Sequence, residues 1–204
     1  MKIIVNDKEL EVSGQRVLIE ELREAGYDIP SLCYAPDDKH EASCMVCMVR
    51  NEANNQMIPS CATYPIEGMR IDVDSDEVIA LRRMGIELLL SDHRARCGGC
   101  EGKAKCKLRE LSVQMKAKWT RYGPLAPVEP KEPIHVNGNL YFEPAKCIRC
   151  GLCVYNSQDG FTFQNRGFNM QVVIPEENKK NINEKMADLC PTGALYLRQL
   201  CSGE

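Results

Sequence analysis

Three cysteines two residues apart, Cys147, Cys150 and Cys153, are answered much later by Cys190-Pro191. No other feature restricts the fold of this chain so tightly. A C-x2-C-x2-C run closed by a distant Cys-Pro supplies the four thiolates that hold a cubane [4Fe-4S] cluster. Where such a run is duplicated, each half takes its fourth ligand from the other, so a second cluster can be sought at fixed spacings. Four residues beyond Cys153 stands Ser157, followed by Gln158 rather than proline. Back from Cys190 the same steps reach Met186, Asn183 and Lys180. All four positions lack a thiol, so one cubane is expected, on Cys147, Cys150, Cys153 and Cys190.

Twelve cysteines against three histidines and one tryptophan in 204 residues need a chemical reason. Met1-Lys2-Ile3-Ile4-Val5-Asn6-Asp7 has none of the long apolar core of a secretory leader, and no stretch approaches the roughly 20 apolar residues of a bilayer span. A reducing cytoplasm is therefore expected, where thiolates persist as metal ligands instead of pairing. A net charge of -3 argues against general nucleic-acid binding. Arg94, Arg96, Lys103, Lys105 and Lys107 form a local basic cluster, read as charge compensation or a solvated face.

Residues 1–76 read as a first unit. Lys2-Val5 and Glu9-Val12 suggest a hairpin turning at Asn6-Asp7-Lys8, and a helix is predicted from Val17 to Ala25, ended by Gly26. Strands are expected at Met57-Ile58 and Arg70-Val73, giving a small mixed sheet that grasps one helix. Its cysteines Cys33, Cys44, Cys47 and Cys61 are spaced C-x10-C-x2-C-x13-C. A close pair flanked by two isolated thiolates suits the two irons of a [2Fe-2S] rhomb, although the long first gap departs from the plant-type pattern. Zinc, which also accepts C-x2-C pairs, stays open at this point.

Residues 77–120 form the second expected unit. Asp74 and Glu77 look like a helix cap, and Leu81, Met84, Leu88 and Leu89 lie at helical spacing through Val78-Leu90, which reads as a core helix beneath the first sheet. His93, Cys97, Cys100 and Cys106 then follow as H-x3-C-x2-C-x5-C. Three thiolates and an imidazole complete either a tetrahedral zinc site or a cubane with one unusual ligand, and the spacing alone favours zinc. His40 and His135 are read as surface or satisfied residues. A helix is expected over Leu108-Lys118.

Pro124, Pro127, Pro130 and Pro133 recur every three residues. That period matches polyproline II, so residues 121–134 are read as a semi-rigid strap, about ten residues of which span roughly 30 Å. The last unit, 135–204, opens with a tight hairpin about Asn137-Gly138 and carries a second hairpin, Phe161-Phe163 with Met170-Ile174, spliced between the halves of the cubane run. Arg149 is read as a solvated arginine beside that run. Cys201 is left as a spare thiol. No dinucleotide fingerprint, P-loop or triad-like set is found, so no catalytic residues are assigned.

The order of these three patterns, ending in Cys190-Pro191-Thr192-Gly193-Ala194-Leu195, resembles the amino-terminal part of the large iron-sulfur subunit of respiratory complex I. In length the chain is most similar to that segment's freestanding relatives: the small diaphorase subunit of NAD-reducing [NiFe] hydrogenases and the corresponding subunits of formate dehydrogenases and electron-bifurcating hydrogenases. The resemblance implies an α+β chain: a β-grasp [2Fe-2S] ferredoxin-like domain, a small helical domain with one histidine and three cysteine ligands, and a bacterial-ferredoxin-like domain. It also implies three clusters. The [2Fe-2S] cluster falls on Cys33, Cys44, Cys47 and Cys61, one [4Fe-4S] on His93, Cys97, Cys100 and Cys106, and the other on Cys147, Cys150, Cys153 and Cys190, which overturns zinc at the histidine site. The chain ends soon after Leu200, short of the catalytic extension of longer members. An electron relay is thus expected, with the Cys147 cluster at one terminal, in a hetero-oligomer with a flavin and NAD(H) subunit and a hydrogenase-type catalytic subunit. Contact with nucleic acid or membrane insertion is not expected. A zinc-stabilised interaction module is the alternative from another class.

Overall fold

The computed structural model describes residues 1–93, 97, 100–118, 121–122 and 132–198. Most of the proline strap, Arg94, Arg96 and Cys201 lie outside the described residues.

Chain-local chemistry builds the first sheet. Lys2–Val5 (β1) and Lys8–Glu11 (β2) pair antiparallel through a turn in which Asn6 and Asp7 are both left-handed, at φ 47 and 60. Positive φ at both central residues matches the twist of a two-residue hairpin. The predicted helix is Leu18–Glu24 (α1), whose Leu18, Ile19 and Leu22 are buried against the sheet. Met48–Asn51 (β3), Gln56–Pro59 (β4) and Arg70–Asp72 (β5) complete five strands in the order β2-β1-β5-β3-β4, with β1 and β5 parallel. The expected Met57-Ile58 strand is the middle of β4. Its partner β3, which starts directly after Cys47, has no counterpart in the sequence reading.

The long helix Asp76–Asp92 (α2) begins at Ser75, whose hydroxyl accepts from the Val78 N–H at 3.5 Å. The cap is therefore one residue later than the expected Asp74; the Asp74 N–H instead bonds the Asp72 carboxylate at 3.1 Å. The buried face also differs. Val78, Arg82, Gly85, Ile86 and Leu90 point inward, whereas Met84 and Leu88 are 37% and 46% exposed. Counting apolar residues misplaced this face because two of its inward positions are an arginine and a glycine. Nor is α2 only a floor for the first sheet: it packs on both β3 and the next helix, Lys107–Gln114 (α3). Buried Glu87 fastens the segment after α3, accepting from the Lys118 N–H and from Arg121, both at 3.0 Å.

In the last unit Ile134–Asn137 (β6) and Leu140–Phe142 (β7) form the expected hairpin. After Leu152–Asn156 (α4), Thr162–Gln164 (β8) and Gln171–Val173 (β9) make the spliced hairpin. Met186–Leu189 (α5) and Leu195–Leu197 (β10) close the chain, giving a second sheet in the order β10-β7-β6. Phe142 and Phe161, both fully buried, meet edge to face at 5.9 Å in its core. His135 bonds the Gly138 carbonyl at 2.9 Å, the satisfied state expected of it. The whole is a mixed α/β protein. Among the described residues no helix is long and apolar enough to cross a membrane.

Candidate metal centres

Cys33 follows α1, Cys44 and Cys47 bracket a loop in which Met45 is left-handed at φ 57, and Cys61 follows β4; all four are buried. Their thiols touch. Hydrogen bonds from the Cys44 and Cys61 thiols hold Cys33 down to about 2, and a bond from Cys61 holds Cys47 down to about 6. The same bonds, with burial, push Cys44 and Cys61 up. Four thiols this close cannot ionise together without a compensating cation. Backbone N–H groups of Ser43, Cys44, Val46 and Leu32 point at Cys33 and Cys44, the hydrogen bonding that stabilises metal-bound thiolates. His40 is satisfied, as expected, but at this site: Nε2 lies 3.0 Å from the Cys61 carbonyl oxygen and the ring packs edge-on against Tyr34.

His93 caps the carboxyl end of α2, its N–H bonding Leu89 and Leu90 carbonyls at 3.1 and 3.2 Å. Burial pushes the imidazole down, toward the neutral form that binds metal, while one ring N–H donates to the Lys146 carbonyl. A ligating imidazole is usually oriented by such a bond through its other nitrogen. Cys106 starts α3 and takes the Arg109 N–H at 3.5 Å; burial raises its thiol, and the charges of Cys100 and Cys97 add to the rise. Buried Lys146 reaches this set, pairing with Glu143, hydrogen-bonding Cys100 and lying 5.1 Å over the Tyr196 ring. Sequence reasoning missed Lys146, which carries no signal beyond its place before Cys147.

Burial pushes Cys147 and Cys150 up to about 12 and Cys153 higher still, each raised further by neighbouring thiolates of the same set. Cys147 receives the Arg149 N–H and Cys190 the Leu195 N–H, both at 3.3 Å. Ser157, at a position where a second cubane would need cysteine, accepts the Phe161 N–H at 2.8 Å. Arg149 is not a solvated arginine: it pairs with Asp92 at the end of α2. Of the basic cluster, Lys105 pairs with Asp188 on the exposed surface at 3.4 Å.

The three sets converge on one apolar layer. Leu32, Ile86, Leu90, Leu108 and Ile148 pack there with Cys33 and Cys44 of the first set, Cys106 of the second and Cys150 of the third. Order in space differs from order in the chain. Cys44 and Cys147 line a common cleft, and the Cys33 charge acts on Cys150. On its other flank the Cys147 loop meets the histidine set through Lys146, while the Lys107 N–H bonds the Pro191 carbonyl at 2.8 Å. The Cys147 loop thus adjoins residues of both other sets, which themselves share the apolar layer through Cys33, Cys44 and Cys106. Asn156 adds a reciprocal pair of bonds to the Lys39 backbone, 3.0 and 2.8 Å, tying α4 to the first cysteine loop.

Among the described residues no three His, Cys, Asp or Glu side chains are disposed around a point as a single metal ion requires. Cluster ligands are distributed over several irons and need no such point. Thiolate and imidazole donors of this kind hold iron-sulfur clusters or zinc alike. Positioning of the first set depends on Gly85, where a Cβ would stand 3.2 Å from the Cys44 carbonyl and 3.3 Å from that of Met45. Both neighbours are backbone, so Gly85→Ala must displace the loop. A loss of about 1–3 kcal/mol is expected, with a changed [2Fe-2S] spectrum. Thermal unfolding and EPR of the holoprotein check it; an unaltered spectrum and midpoint would show that the loop has slack.

Comparison with known proteins supports these assignments at the level of domains. The family described as a 2Fe-2S iron-sulfur cluster binding domain matches residues 1–76, the NADH-ubiquinone oxidoreductase-G iron-sulfur binding region matches 82–121, and a 4Fe-4S single cluster domain matches 140–197. The gamma chain of the NAD-reducing hydrogenase HoxS of Cupriavidus necator is 25% identical over 98% of this chain and 88% of its own length. The G component of the NADH-quinone oxidoreductase of Rickettsia prowazekii is 27% identical over 96% of this chain, which spans only 30% of that relative. A crystal structure of NAD+-reducing [NiFe]-hydrogenase in the H2-reduced state superposes with a TM-score of 0.85 at 23% identity, covering 99% of this chain and 88% of the other.

Proposed function

We propose that this chain, a homologue of the NAD-reducing hydrogenase gamma chain and of the NADH-quinone oxidoreductase G component, is a three-cluster electron relay. Its partners on this reading are a flavin- and NAD(H)-binding subunit and a hydrogenase-type catalytic subunit, in a cytoplasmic hetero-oligomer. Cys33, Cys44, Cys47 and Cys61 hold the [2Fe-2S] cluster in a domain of residues 1–76. His93, Cys97, Cys100 and Cys106 hold one [4Fe-4S] cluster within 77–120, and Cys147, Cys150, Cys153 and Cys190 the other within 135–204.

When bound, such clusters accept and release single electrons with little rearrangement. The chain's own contribution is to hold the thiolates, shield them and fix the spacing of the sites. Residues of all three sets meeting in one apolar layer carry this reading, because a relay needs its stations packed close together. No catalytic residue is assigned.

The measurement that tests it is iron and acid-labile sulfide per anaerobically purified chain. About two, four and four irons are expected, with EPR signals of both cluster types on reduction. Stoichiometric zinc in a colourless protein would overturn the relay. The complex I-like alternative keeps weight from the comparable identity to the NADH-quinone oxidoreductase component. Co-purifying proteins separate the two: a hydrogenase catalytic subunit supports the first, membrane-arm proteins the second.

A further inference from the structure

Arg82 is the one member of the inward face of α2 that carries a full charge at every accessible pH. It is 4% exposed. Nε donates to the Met48 carbonyl at 2.8 Å, immediately after Cys47, while Nη2 is buried and has no hydrogen-bond partner. Among the described residues no carboxylate lies within ion-pair distance of it. Asp72, whose charge also acts on it, pairs with Arg50 at 2.7 Å and takes the Asp74 and Ser75 N–H groups. Burial pushes the guanidinium down, and the largest charge pushing it back is the Cys47 thiolate, ahead of Asp28, Asp72 and Asp74.

A buried arginine without a counter-ion is costly, so the fold retains it against a penalty. A cluster held by four thiolates supplies the missing negative charge, and gains one more unit of it on reduction.

We infer that Arg82 is the resident counter-charge of the Cys33, Cys44, Cys47 and Cys61 site and raises its reduction potential by stabilising the reduced state. The inference rests on those four cysteines holding a [2Fe-2S] cluster. Arg82 acts through space and through the Met48 carbonyl, as a positioning and tuning residue. It is reached from α2, outside the cysteine motif, where no spacing rule would find it.

Arg82→Gln keeps a donor for the Met48 carbonyl and removes the charge, whereas Arg82→Lys keeps the charge. The readout is an EPR redox titration of the [2Fe-2S] signal in the holoprotein. At the wild-type midpoint, the reduced-to-oxidised ratio in Arg82→Gln should fall about tenfold, which is 59 mV for one electron. Arg82→Lys should stay within about threefold of wild type. An unchanged ratio in an Arg82→Gln protein with a full [2Fe-2S] signal overturns the inference. If Arg82→Gln fails to hold the cluster, Arg82→Lys decides: a loaded site with near-wild-type ratio supports a required charge, while an empty site or a tenfold fall overturns it. Absence of any [2Fe-2S] signal from the wild-type chain would instead overturn the site reading beneath it.

Discussion

Cys150→Ser should abolish one [4Fe-4S] spectrum and slow electron transfer through the assembled complex by at least about 100-fold, leaving the [2Fe-2S] signal intact. Perturbing groups one layer outside a metal already costs 10–100-fold, and Cys150 is assigned as a ligand. On the proposed relay the consequence extends beyond its own site, because the Cys147 loop adjoins residues of both other sets. Iron should fall by about four per chain. Transfer at an undiminished rate, with that cluster absent, would place the main path elsewhere.

The second large effect is one of stability. Ile86 is fully buried at the centre of the layer that all three sets share. Ile86→Ala removes three carbons with little room for collapse and should cost about 2–5 kcal/mol. For a chain of this size that is a fall in unfolding midpoint of about 5–15 °C. Phe142→Ala should cost a similar amount, but it lies in the separate core of the last unit, against Phe161. The two variants therefore differ in pattern. Ile86→Ala should broaden or diminish the EPR signals of all three sites, and Phe142→Ala chiefly those ligated from the last unit. If Ile86→Ala disturbed only the first set, the shared layer would not couple the sites.

The cysteine spacings made the proposed ligand sets legible, since thiols at fixed separations have few other uses. Turn chemistry was equally readable at Asn6-Asp7 and Asn137-Gly138, where backbone sterics act within a few residues. What escaped was long-range. The inward face of α2 includes Arg82 and Gly85, a charge and a missing side chain, each required by the loop at Cys44–Met48 opposite. Arg149 read as an ordinary surface cation and Lys146 drew no reading, because Asp92 and Cys100, which they meet, lie in a different unit. Spatial order escaped for the same reason: Cys33 and Cys150 are neighbours through folding alone.

α2 connects these observations. Its 17 residues extend about 25 Å, with the first cysteine loop against Arg82 and Gly85, His93 at its end, and Asp92 paired to the Cys147 loop. A rod gripped at three points makes the occupancy of each site a matter for the others. Metal binding to one set stabilises the frame that positions the next, and thermodynamic linkage makes the help reciprocal. The proposed clusters should then load cooperatively: a molecule that has acquired one is the better acceptor for the remaining two, and partly filled molecules should be the scarcest in the population.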